Sequence, residues 1–195
     1  MENISGRLPA KTTSGLIHNK TFRLTLEVMF LAGLGMLAIL LHARFKSPLS
    51  IPGHHGIEFM ALLLMGRLSS NLKFASTTTS FGVGLLLLFP VLGFRDPLMG
   101  FNFMLPGLLL DFCYNLGWNF VKKAWFLALI AGLAYMMIPI SRMIISISTG
   151  YQYETFLKYG LFVPVLTHFA FGLAGGLLGT GIYKILNKFF SKRSS

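Results

Sequence analysis

The chain has 195 residues, 54% of them hydrophobic and 12% charged, and a mean hydropathy of +0.67. So few polar residues could not cover a soluble domain of this size, which excludes a soluble globular protein and points to a polytopic membrane protein. The formal charge of +11 does not indicate nucleic acid, because Lys and Arg stand at the edges of apolar segments and not along one stripe.

Polar residues dominate the start of the chain, and no small-residue cleavage site follows the first apolar run, so that run reads as a retained signal anchor. A bilayer core of about 30 Å needs roughly 20 helical residues, and lipid-facing backbone must satisfy its own hydrogen bonds. Six segments meet or approach that length, at 24–43, 57–72, 75–94, 98–118, 124–145 and 157–187. The fold class is therefore all-α, since the runs are too long for transmembrane strands of about 10 alternating residues. The domain organisation follows: a cytoplasmic N-terminal segment over 1–23, a six-helix transmembrane domain over 24–187, and a basic cytoplasmic tail over 188–195. The second span is short and ends among Arg67, Ser69, Ser70, Asn71 and Lys73, which suits a tilted, broken or partly inserted helix.

Small residues cluster on the first span as Ala32, Gly33, Gly35 and Ala38 and on the sixth around Gly172, Gly175, Gly176 and Gly179. Such residues let helix backbones approach closely. Packing within the chain is the default for both, and the first cluster can also face another subunit.

Between the first two spans, Ile51-Pro52-Gly53-His54-His55-Gly56-Ile57-Glu58 places two imidazoles in a Pro/Gly turn ahead of a carboxylate. If helix begins by His54, then His54 and Glu58 share one face as a hydrogen-bonded pair. Three readings stand: an interfacial helix start with Glu58 favoured by the macrodipole, a ligand-contacting loop, and a metal site. No His-Glu-x-x-His pattern is present, so a zinc protease is excluded.

"FASTTTSF" reads as a polar cap on the third span. Within the fourth, Asp111 is expected to pair with Arg67, Lys73 or a helix end, because a lone carboxylate at membrane depth is costly. In the sixth, His168 reads either as a neutral imidazole bonded to its neighbours or as a substrate contact. Arg142, at the outer end of the fifth, either snorkels to headgroups or faces an anionic ligand, with snorkelling preferred. Trp118 and Trp125 sit where an interfacial belt is expected, whereas Phe103, Tyr135 and Phe162 lie deeper and suit an apolar pocket.

Orientation follows from the basic residues. With the N-terminus, the second and fourth loops and the C-terminus on one side, that side holds Arg7, Lys11, Lys20, Arg23, Arg67, Lys73, Lys122, Lys123, Lys184, Lys188, Lys192 and Arg193. The other side holds Arg44, Lys46, Arg95, Arg142 and Lys158. Both termini are thus expected in the cytoplasm, with the histidine turn outside. No phosphate-binding loop or activated nucleophile is recognisable, and Cys113 has no partner cysteine, so neither enzymatic activity nor a cofactor is expected.

The chain is similar to the substrate-binding S component of energy-coupling factor (ECF) transporters. The likeness rests on length, span count, "MGRLSSNLKFASTTTSFGVGLLLLF", and "DPLMGFNFMLPGLLLDFCYNL", whose Gly107, Leu108 and Asp111 match a Gly-Leu-x-x-Asp stretch. The resemblance implies a cell-membrane protein, bacterial inner membrane, that captures a vitamin or related micronutrient in an outward-opening pocket. It also implies a lid formed by the loop between the first two helices, and partners in the form of a transmembrane coupling subunit and cytoplasmic ATPases. In place of the family's Ala-x-x-x-Ala docking motif this chain carries Ala32, Gly33, Gly35 and Ala38, and no biotin, thiamine or riboflavin signature is recognisable.

A substrate site is expected from His54, His55 and Glu58 as the lid, with Asn102, Phe103, Tyr135, Arg142 and His168 as walls and floor. The rival resemblance is to the rod-shape-determining membrane scaffold of cell-wall assembly, through Gly107, Leu108, Leu109 and Asp111. A metal-dependent membrane enzyme built on His54, His55 and Glu58 is a third possibility.

Overall fold

The computed structural model describes residues 20–44, 51–89, 96, 98–117, 119–121 and 123–193. Arg7, Lys11, Lys46, Arg95, Trp118 and Lys122 lie outside the described residues, so expectations resting on them are not addressed below. Among the described residues every regular element is helical: α1 Lys20–Arg44, α2 Gly56–Ser69, α3 Ala75–Leu87, α4 Met99–Asn115, α5 Ala124–Tyr135, α6 Met137–Thr149, α7 Glu154–Tyr159 and α8 Phe162–Arg193.

Among the described residues, three helical stretches are long and apolar enough to cross a membrane: α1, the continuous α5–α6 stretch Ala124–Thr149, and Phe162–Lys192 of α8. The other three expected spans are helices of 14, 13 and 17 residues. Large apolar side chains on α1 and α8, among them Met29, Phe30, Leu166 and Phe189, point outward, as suits an apolar solvent.

Two helix boundaries differ from the sequence reading, each for a backbone reason. Pro139 has no N–H to give the Tyr135 carbonyl, so the hydrogen-bond ladder is interrupted at Met136 between α5 and α6, while the backbone there stays helical. The sixth segment does not begin at residue 157: α7 ends at Gly160, whose φ of 70° a side chain would resist, and α8 starts at Phe162.

Neighbouring helices close into a ring in the order α1, α3, α4, α5, α8 and α2, with α6 and α7 against one end. Its seams are made by small residues. A Cβ on Gly175 would stand 2.6 Å from the Gly56 carbonyl oxygen of α2, and one on Gly176 2.7 Å from the Ala131 side chain of α5, so α8 lies backbone-close to both neighbours. Gly35 and Ala38 are buried, and Gly35 faces the Thr79 carbonyl while Gly82 faces the Ala32 carbonyl, so this part of α1 is taken up by α3. Of the four small residues proposed for partner docking, Gly33 alone faces outward, with nothing near its would-be Cβ.

At one end of the bundle a polar node ties four helices. Arg67 on α2, 3% exposed, donates to the Asp111 carboxylate of α4 at 3.0 Å and to the Ser70 and Lys73 carbonyls at 2.9 and 3.1 Å. Asp111 also accepts the Ser76 and Thr77 N–H groups at 3.1 and 2.7 Å and the Thr77 hydroxyl at 2.8 Å. Ser70 extends the node to α1 by donating to Glu27 at 2.6 Å. The expected pairing of Asp111 with Arg67 and a helix end is therefore present. The expected local Ser/Thr cap is not: the residue before α3 is Phe74, and its orphan N–H groups are met by Asp111 from another helix.

Candidate functional site

The opposite end of α2 carries a cavity of about 410 Å³, within the range of small-molecule sites. Its lining comes from six places in the chain: His42 at the end of α1, the turn Ile51 to His55, Met99 and Phe103 on α4, Tyr135 with Ile138 and Arg142 at the α5–α6 junction, Thr155 and Tyr159 on α7, and His168 on α8.

The turn is built by Pro52 followed by Gly53 at φ 82°, closed by a bond from the Gly56 N–H to the Gly53 carbonyl at 2.8 Å. A side chain at Gly53 would meet the His168 ring at 2.6 Å, so glycine lets the turn lie directly on that imidazole. Helix starts at Gly56 and not at His54, which shifts the pairing by one residue. Glu58 bonds His55, at 2.5 Å from its Nδ1, while His54 Nδ1 meets the Ile51 carbonyl at 2.8 Å. The expected His54–Glu58 pair is thus replaced by an i,i+3 pair.

His55 is sandwiched between His42 and His54, with ring centroids 3.8 and 3.9 Å away, and the row ends edge-on to Phe103. On the facing wall Tyr135 stacks on His168 at 4.8 Å, and Phe59 packs behind both Tyr135 and Phe103. His168 Nδ1 lies 2.6 Å from the Pro164 carbonyl, so both readings of this residue hold together: it is bonded to its own helix and faces the cavity.

Arg142 does not snorkel away from the protein. It donates to the Asp96 carboxylate at 3.0 Å and lies 5.4 Å over the Tyr153 ring. Asp96 in turn accepts the Leu98 N–H at 3.0 Å, fixing the start of α4. Burial, and next the Asp96 carboxylate, push the Tyr153 phenol above its ordinary pKa.

Of the eight expected substrate residues, His54, His55, Phe103, Tyr135, Arg142 and His168 line the cavity. Glu58 stands behind His55 and orients it. Asn102 is fully buried and accepts the Ser141 hydroxyl at 2.9 Å, joining α4 to α6 below the cavity, so it supports the wall and is not part of it. Phe162 is 82% exposed and takes no part. His42, Thr155 and Tyr159 were not anticipated. His42 carried the same signal as His168, an ionisable ring in an apolar helix. Thr155 and Tyr159 lie in or beside what reads as the start of the sixth span, and only the break at Gly160 turns them inward.

Among the described residues no three His, Cys, Asp or Glu side chains are gathered as for a metal ion. The cavity offers ring faces, imidazole nitrogens and one paired guanidinium, which suits non-covalent recognition of a small organic molecule. No protein-family model, curated protein or solved structure matches the chain.

Proposed function

We propose that the chain is a six-span membrane protein with both termini in the cytoplasm that captures a vitamin-sized solute from outside and delivers it to a transmembrane coupling subunit driven by cytoplasmic ATPases. It resembles ECF S components in this arrangement and performs no chemistry of its own. The observation that carries the reading is the cavity at one end of the ring, assembled from six separate places among the described residues and lined in part by the 51–55 turn. The scaffold alternative rests on Gly107, Leu108, Leu109 and Asp111, two of which have duties inside the chain: Gly107 lies against Ser80, and Asp111 binds Arg67 and the start of α3.

The test is to purify the chain from membranes, identify the co-purifying small molecule by native mass spectrometry, and measure its affinity for H54A, E58A and H168A. Each substitution is expected to weaken binding about tenfold to a hundredfold, the worth of one hydrogen bond or charge-assisted contact. Parent-like affinity in all three folded variants would place the ligand elsewhere.

Orientation is tested separately. In a C113S background, S195C is expected to resist membrane-impermeant thiol reagents in intact cells and to react after permeabilisation. Labelling from outside would reverse the topology.

A further inference from the structure

We propose that the cavity takes a flat nitrogen-containing ring compound, neutral or cationic, that offers N–H donors, and that His54 and His168 receive those donors through Nε2. This rests on the capture reading above and narrows it to a ligand class.

A backbone carbonyl can only accept a hydrogen bond. His54 Nδ1 lies 2.8 Å from the Ile51 carbonyl oxygen and His168 Nδ1 lies 2.6 Å from that of Pro164, so in each ring Nδ1 carries the hydrogen. In the neutral ring Nε2 then keeps its lone pair and acts as an acceptor. His54 Nε2 is buried and has no hydrogen-bond partner among the described residues. His55 is held the same way, with Nδ1 on the Glu58 carboxylate, so three imidazoles have their Nδ1 side tied off.

Charge points in the same direction. Arg142, the one arginine among the described lining residues, is paired through one terminal nitrogen with Asp96 at 3.0 Å, and its Nε–H has no partner among the described residues. The His42, His55 and His54 rings stack 3.8 and 3.9 Å apart, and the Glu58 carboxylate stands against His55. An anionic ligand would add to the Asp96 and Glu58 carboxylates already at this end of the bundle, whereas an N–H donor meets the unpartnered His54 Nε2. The ring faces of Phe103, Tyr135 and His168 supply stacking surface for a flat body.

Benzamidine and benzoate serve as probes, because they share a ring and a planar head group but differ in charge and hydrogen-bond polarity. Titrated calorimetrically into the full chain in detergent near neutral pH, benzamidine is expected to bind at least about tenfold more tightly than benzoate. H54A, in the turn outside the helices, and H168F, which keeps an aromatic ring against Tyr135, are each expected to cost benzamidine about tenfold while leaving benzoate unchanged. H54A alone suffices if H168F fails to fold. Equal affinities, a preference for benzoate, or binding of neither probe overturns the donor class. A co-purified carboxylate or phosphate ester whose affinity falls in H54A and H168A would overturn the donor class and leave the capture reading standing. A co-purified ligand indifferent to those substitutions would overturn both.

Discussion

Replacement of Asp111 by alanine is expected to lower stability by about 3–5 kcal/mol, the cost of removing one partner from a buried ion pair. Four donors lose their acceptor together, the Thr77 hydroxyl among them. Arg67 stays almost fully buried with its charge uncompensated, and the Ser76 and Thr77 N–H groups at the start of α3 become orphans. D111N keeps a carbonyl oxygen but no charge and should fall between alanine and the parent. A double variant carrying R67M and D111L removes both charges and should recover much of the loss, since an apolar pair in place of a buried ion pair is often tolerated. Denaturant or thermal melting in detergent measures all three. A D111A chain as stable as the parent would show that the node does not hold α2, α3 and α4 together.

G82L is expected to cost about 3 kcal/mol, at the upper end for overpacking. Its side chain would be driven into the Ala32 carbonyl of α1, directly beside the reciprocal contact of Gly35 with Thr79, so neither helix has a free direction in which to yield. G33A is the matched control on the same pair of helices. Nothing stands within 4 Å of the position its Cβ would take, and alanine is the better helix former by roughly 0.5–1 kcal/mol. Melting should therefore fall in G82L and hold or rise slightly in G33A. Equal behaviour of the two would mean that α1 and α3 are not in backbone contact.

Apolar run length and punctuation made the helices legible: the expected 24–43, 75–94 and 98–118 begin within a few residues of α1, α3 and α4. The Asp111–Arg67 pair was legible for a different reason, because a carboxylate in an apolar run must find a partner and the candidates nearby were few. Which way side chains face was much less legible. In a bundle whose outer surface is as apolar as its interior, hydropathy carries little facing information, so Phe162 and Phe103 look alike in sequence while one points out and the other lines the cavity. Asn102 turned toward Ser141, and Arg142 found Asp96 on a connection 46 residues away, contacts no local spacing encodes. The His54–Glu58 error was one of register. The Gly53 turn delays the helix until Gly56, and a carboxylate three residues beyond His55 then meets that ring.

The 14 residues of α2 rise about 21 Å, against roughly 30 Å for a hydrocarbon core. In the six-span arrangement proposed above, about 9 Å of that column has no helix in it. At the Gly56 end of α2 the 51–55 turn lines the cavity. Four helices, α1, α3, α5 and α8, border α2. Along α8 and between α1 and α3 the helices are close, with glycine against carbonyl. The short α2 leaves at its start the space that the cavity occupies. One more helical turn at its start would lay backbone and side chains across the cavity.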